Sequence, residues 1–144
     1  MDEYIVYIKN SWKKLKEKSK LEISEIEQIE DEICKMYLYC FYGYFDKLYS
    51  YNIEMLSQVI NEGKNNLYFL SIYLGYIEFM EYLEKKGFDI NIKDINGNNT
   101  YLVACSYNNL KIMKYLEKKG IDIYIKNKHG DNIFNIALRN NSII

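Results

Sequence analysis

At 144 residues, 49% hydrophobic and 16% aromatic, the chain carries one domain's worth of sequence with enough apolar content for a continuous core, which excludes intrinsic disorder. With 19 Lys and Arg against 20 Asp and Glu the net charge is −1, and the basic surplus that a general nucleic-acid binder needs to neutralise phosphates is missing. The chain begins Met1-Asp2-Glu3 with neither a basic leader nor an apolar core behind it, and no run approaches the roughly 18 apolar residues of a membrane span, so the expectation is a soluble, cytoplasmic protein with no membrane contact.

The first predicted element is a helix over residues 3–19, where Ile5, Ile8, Trp12 and Leu15 form one apolar stripe. A second follows Ser24, with Ile26, Ile29, Ile33, Met36 and Cys40 on its apolar face and Ser24 and Glu27 placed for a capping box. Charge is segregated between them. Lys9, Lys13, Lys14, Lys16, Lys18 and Lys20 precede Glu22, Glu25, Glu27, Glu30, Asp31 and Glu32. Folded as a helical hairpin, the two segments would set opposite signs side by side. Alternatively the basic helix docks on an acidic partner or an anionic lipid, or binds nucleic acid weakly. Residues 1–50 are therefore an N-terminal helical region or cap.

Beyond residue 50 the sequence repeats. Residues 82–104 (YLEKKGFDINIKDINGNNTYLVA) and 115–137 (YLEKKGIDIYIKNKHGDNIFNIA) agree at 13 of 23 positions with an offset of 33. A fixed period of this length marks a unit that cannot bury its apolar face alone and is completed by stacking on its neighbours. Within the unit, residues 89–97 alternate apolar and polar and end on Gly97, as an extended arm closed by a tight turn would. Two helices follow. The first runs from Asn99 to about Tyr107 and presents Tyr101, Leu102, Ala104 and Cys105; the second runs from Leu110 to Lys119, presents Leu110, Ile112, Met113, Tyr115 and Leu116, and stops at Gly120. One period upstream, residues 65–80 give a third copy. Residues 52–63 look like the second helix of a degraded unit with Asn52 as N-cap, and residues 34–50 are the candidate for its first helix. Downstream, residues 131–140 make one more first helix, and Ser142-Ile143-Ile144 stand where a second would start. Phe134, Ile136, Leu138, Ile143 and Ile144 then form either a frayed capping end or an interface.

Turn, helix, helix and glycine in this order closely resemble the ankyrin repeat. In the family pattern D-x-x-G-x-T-P-L-H-x-A-A, followed by G-H-L-E-I-V, L-L, a glycine and A-D-V-N, matching slots hold Asp94, Gly97, Tyr101, Ala104, Cys105, Leu110, Ile112, Met113, Leu116, Gly120, Asp122 and Ile123. Gly75, Ile77, Glu78, Phe79 and Met80 occupy G-H-L-E-I-V in the third copy. The T-P-L-H tetrad departs, reading Asn99-Thr100-Tyr101-Leu102 and Asn132-Ile133-Phe134-Asn135. In the family that tetrad is a local hydrogen-bonding device, which Asn99 and Asn132 replace in part. Absence of proline and heavy use of Asn, Ile, Lys and Tyr point to an AT-rich genome. The resemblance implies an all-α ankyrin-repeat solenoid preceded by an N-terminal helical hairpin, with repeats at 51–64 (degenerate), 65–97, 98–130 and 131–144 (truncated).

Catalytic constellations do not emerge. His129 is the single histidine, in a turn before Gly130, with no cysteine or serine at nucleophile spacing. Cys34, Cys40 and Cys105 have no metal-type spacing and read as reduced core thiols. No enzyme, cofactor, metal site or small-molecule substrate is expected. By resemblance, the partner sits on the concave face, built from turn tips and the open side of each first helix. Its slots hold Tyr73, Leu74, Lys93, Ile95, Asn96, Asn98, Ser106, Tyr107, Lys126, Lys128, His129, Asp131, Arg139 and Asn140, aromatic upstream and basic downstream. This is how small ankyrin-repeat proteins of viruses, phages and bacteria look. The reading is a protein-binding adaptor or stoichiometric inhibitor, with a host or rival protein bearing an acidic patch as partner and a monomer or weak homodimer as its state. Self-association through the truncated C-terminal repeat is the alternative, and nucleic-acid binding through the N-terminal lysines the third.

Overall fold

A computed structural model describes residues 21–60 and 66–140. The predicted helix over residues 3–19, its lysines, and Ile143 and Ile144 lie outside the described residues. The chain divides into two compact units between residues 62 and 63.

In the first unit, helix α1 (Ile23–Glu27) starts at Glu22, whose N–H donates to Glu25 Oε2 at 3.0 Å. Helix α2 (Glu32–Phe41) starts at Asp31, whose Oδ1 accepts the Cys34 N–H at 2.8 Å. A short 3₁₀ turn (Phe45–Lys47) and helix α3 (Ile53–Leu56) follow, the latter capped by Asn52 Oδ1 accepting the Met55 N–H at 2.9 Å. Ile26, Cys34, Met36, Leu38, Cys40, Leu48 and Leu56 are buried together. Two expectations are corrected here. The apolar stripe from Ile26 to Cys40 is not one helix but two, because Asp31 caps a fresh start and the chain turns over residues 28–31; the cap pair is Glu22 and Glu25, and Ser24 lies exposed within α1. The helix expected over residues 52–63 ends at Leu56, where Ser57, Val59 and Ile60, all weak helix formers, take over.

In the second unit, α4 (Leu67–Leu74) packs on α5 (Ile77–Lys86), and α6 (Thr100–Ser106) on α7 (Leu110–Lys118). The first helices stack, α6 lying against both α4 and α8 (Ile133–Arg139). That position explains α6. With neighbours on three sides, Thr100 to Cys105 are all buried, and small residues such as Ala104 and Cys105 let the helices approach. Asn66, Asn99 and Asn132, 33 residues apart, each begin a first helix with a side-chain oxygen accepting backbone N–H groups of the first turn.

The arms between helix pairs are turns. An antiparallel bridge joins Lys93 to Asn99. Asp94 closes the tip: its N–H donates to Asn98 O at 2.9 Å, and its Oδ1 accepts the N–H of Asn96 and of Asn98, both at 2.9 Å. Gly97 completes the turn at φ 76°, a left-handed conformation suited to glycine.

Candidate functional site

Stacking at a constant period brings residues 33 apart into register, so the ends of the first helices form a row. Tyr73, Ser106 and Arg139 share one slot, and Leu74, Tyr107 and Asn140 the next. The row is physically continuous. Tyr73 and Tyr107 meet edge to face with ring centroids 4.8 Å apart, while Asn140 Nδ2 donates to Ser106 O at 2.8 Å. Both tyrosines are about half exposed, at 48% and 51%, so they present ring area to solvent while fixing each other's orientation.

The turn tips form a second row joined in the same way. Lys128 N–H donates to Asn96 O at 2.9 Å, and Asn127 Nδ2 donates to Asn98 Oδ1 at 2.9 Å. Asn98 is thereby half-buried and occupied, since its Nδ2 also reaches Asp94 Oδ2 at 3.0 Å. Lys93, Ile95, Asn96, Lys126, Lys128 and His129 are exposed; the His129 backbone N–H is held by Asn127 Oδ1 at 2.9 Å.

Charge along the strip differs from a simple count of basic residues. Arg139 Nη2 pairs with Asp131 Oδ1 at 2.7 Å, and this hydrogen-bonded guanidinium holds the half-buried Asp131 carboxyl below the usual carboxylate range. Arg139 and Asp131 thus largely cancel. The net positive field of the downstream end comes from Lys126 and Lys128.

Sequence reasoning missed a second set of contacts, within helix pairs and between successive second helices. Tyr68 Oη donates to Glu84 Oε1 at 3.3 Å, Tyr115 Oη donates to Glu84 Oε2, and Tyr101 Oη donates to Glu117 Oε1 at 2.6 Å. Glu84 therefore receives a hydroxyl on each oxygen and links helix pair α4/α5 to α7. Burial first, and the glutamate beside each ring next, push all three phenols well above the ordinary tyrosine range. The signal was present as Tyr68/Tyr101, Tyr82/Tyr115 and Glu84/Glu117, each pair one period apart, but tyrosine in a helix reads as core unless its hydroxyl is followed.

Cys34, Cys40 and Cys105 are free and buried, and burial raises the Cys40 and Cys105 thiols, so neither is a ready thiolate. Among the described residues there is no group of three or more His, Cys, Asp or Glu able to hold a metal ion, and no helix long and apolar enough to cross a membrane.

A family model described as ankyrin repeats (3 copies) matches residues 31–127 and 67–143. No curated protein matches the chain. Ankyrin repeats are in general protein–protein interaction modules, typically without catalysis.

Proposed function

The chain belongs to the ankyrin repeat family, and from that premise we propose that it binds another protein through the strip of helix ends and turn tips, as an adaptor or a stoichiometric inhibitor. The observation that supports this most is the Tyr73–Tyr107 pair: two half-exposed rings, mutually oriented, at the centre of a row tied together by Asn140 and Ser106. Tyrosines held this way offer large contact area with little rotamer entropy left to lose. Beside them, Lys126 and Lys128 favour an acidic patch on the partner and speed encounter with it. Nothing in the strip requires substrate turnover.

The experiment is affinity capture from the native cell with three baits: the natural chain, a Tyr73→Ala/Tyr107→Ala variant and a Lys126→Glu/Lys128→Glu variant. All four positions are exposed, so the variants retain the fold, which circular dichroism checks. A protein recovered with the natural chain is expected to be lost from the tyrosine variant and weakened in the lysine variant, the latter more so at low salt. Equal recovery with all three baits rules the strip out.

A further inference from the structure

Asparagine is followed by glycine once in the chain, at Asn96-Gly97, and Asn96 is exposed at the tip of the arm between α5 and α6. The turn uses only the backbone of Asn96: its N–H donates to Asp94 Oδ1 and its carbonyl accepts the Lys128 N–H, each at 2.9 Å. Among the described residues its side-chain amide makes no hydrogen bond. One period later the same slot holds His129, whose N–H donates to Asn127 Oδ1 at 2.9 Å ahead of Gly130, so the turn forms without an amide there. The neighbouring asparagines are engaged. Asn98 Nδ2 is held by Asp94 at 3.0 Å, Asn127 Nδ2 by Asn98 at 2.9 Å, and Asn99 Nδ2 by Asp122 O at 2.7 Å.

We infer that Asn96 is a spontaneous deamidation site, at which the chain modifies itself when the tip between Asp94 and Asn98 opens, and that the product uncouples the two tips. The Gly97 backbone nitrogen gives up its proton and attacks Asn96 Cγ. The new N–Cγ bond closes a succinimide ring, the Cγ–Nδ2 bond breaks, and ammonia leaves with that proton. Water then opens the ring. Cleavage at Cγ gives aspartate; cleavage between the Gly97 nitrogen and the Asn96 main-chain carbonyl carbon gives isoaspartate. Nothing is oxidised or reduced, and water is the sole co-reactant. Glycine favours the attack because no Cβ hinders the approach of its nitrogen. The closed turn restrains it, since Gly97 N–H donates to Asp94 O at 3.0 Å. Opening an exposed tip frees that nitrogen, at far lower cost than global unfolding. Both products add a negative charge next to Lys128, which weakens the positive field of the downstream tip. Isoaspartate also lengthens the main chain by a carbon and leaves the oxygen that accepted the Lys128 N–H on a side carboxylate, so the tips lose register. The covalent change is independent of whether the strip binds a partner.

The natural chain is incubated folded at mildly alkaline pH, beside the same chain in urea and the variants Asp94→Ala and Asn96→His. Peptide mapping by mass spectrometry follows the amide-to-acid mass gain at each asparagine, and enzymatic methylation identifies isoaspartate. In the folded chain Asn96 is expected to convert ahead of every other described asparagine, and more slowly than in urea. Asp94→Ala removes the bonds to Asn96 N, Asn98 N and Asn98 Nδ2 and is expected to speed conversion about tenfold. Asn96→His, which keeps the turn as His129 does, forms no isoaspartate at the tip. The isoaspartate form, separated by anion exchange, is expected to unfold at lower urea than Asn96→Asp, which carries the charge without the added carbon. No conversion at Asn96 in the folded chain while the urea sample converts fully, an earlier reaction at another described asparagine, or a rate untouched by Asp94→Ala overturns the inference. Coincident unfolding of the isoaspartate form and Asn96→Asp overturns the uncoupling.

Discussion

Asn99 does two jobs with one amide. Its Oδ1 accepts the Leu102 N–H at 2.9 Å, capping α6, and its Nδ2 donates to Asp122 O at 2.7 Å, fastening the start of the first helix to the loop that leaves the second. The Asn99 side chain is itself buried, at 3% exposure. The next asparagine in register is simpler: Asn132 and Asn135 exchange side-chain and backbone bonds at 3.1 Å, and Asn132 is half-buried. Loss of a cap alone costs about 1 kcal/mol, and loss of the second, part-buried hydrogen bond to Asp122 O about 0.5–1.5 kcal/mol more. Asn99→Ala should therefore destabilise by about 1.5–2.5 kcal/mol and Asn132→Ala by about 1 kcal/mol, measured from urea midpoints at unchanged slope. Equal losses would show that the link to Asp122 contributes nothing. The sequence pointed to Asn99 as a substitute for a family hydrogen-bonding device, because its slot was visible; the atom it reaches was not, since a bond 23 residues away leaves no periodic trace.

Turn tips and helix pairs, one scale up, show where reading by period succeeds. The helices α4 to α8 were legible because apolar faces recur at a fixed period with asparagine caps at Asn66, Asn99 and Asn132 and glycines at Gly87 and Gly120 that close the second helices. The same logic misread residues 26–40, where the apolar spacing runs on unbroken and only the Asp31 cap marks the interruption. Periodicity reports which side faces the core and is silent on where the backbone stops. Exposure of the tips was likewise legible, but the bond from Lys128 N–H to Asn96 O, which makes two tips one surface, was not. Gly97 tests that joint. A Cβ there would lie 3.0 Å from Lys128 Cγ and 3.1 Å from Lys128 N, whereas at Gly130 nothing lies within 4 Å, and the two glycines have φ of 76° and 77°. Alanine at either position bears the left-handed penalty of about 1–2 kcal/mol. Gly97→Ala is expected to lose about 1 kcal/mol beyond Gly130→Ala in thermal or urea unfolding, because backbone and not a flexible side-chain end must yield. Indistinguishable variants would mean that the tips separate freely.

Across the repeat unit, stability and pH are coupled through the tyrosine–glutamate contacts. Tyr68 and Tyr115 share Glu84, so one carboxylate joins consecutive repeats, and Tyr101 on Glu117 extends the pattern through the same stack. In a solenoid the stability of the whole is the sum of repeats and their interfaces, so groups that act between repeats act on cooperativity as well. All three phenols have their ionisation pushed upward in the fold, by burial and by the adjacent carboxylate, whereas in the unfolded chain they release protons at about pH 10. With the folded values raised, the stabilisation is complete below about pH 10, declines once the unfolded chain ionises, and is gone as pH rises through the folded values. The natural chain should thus hold its Tm near neutrality and lose it steeply on the alkaline side, with the phenolate absorbance of these three rings appearing only as helicity by circular dichroism disappears. Replacing Tyr68, Tyr101 and Tyr115 by phenylalanine removes the hydroxyls without emptying the core: the triple variant should start with a lower Tm and descend less steeply. Parallel alkaline profiles for the two proteins would place the pH sensitivity among the remaining tyrosines and separate it from the links between repeats.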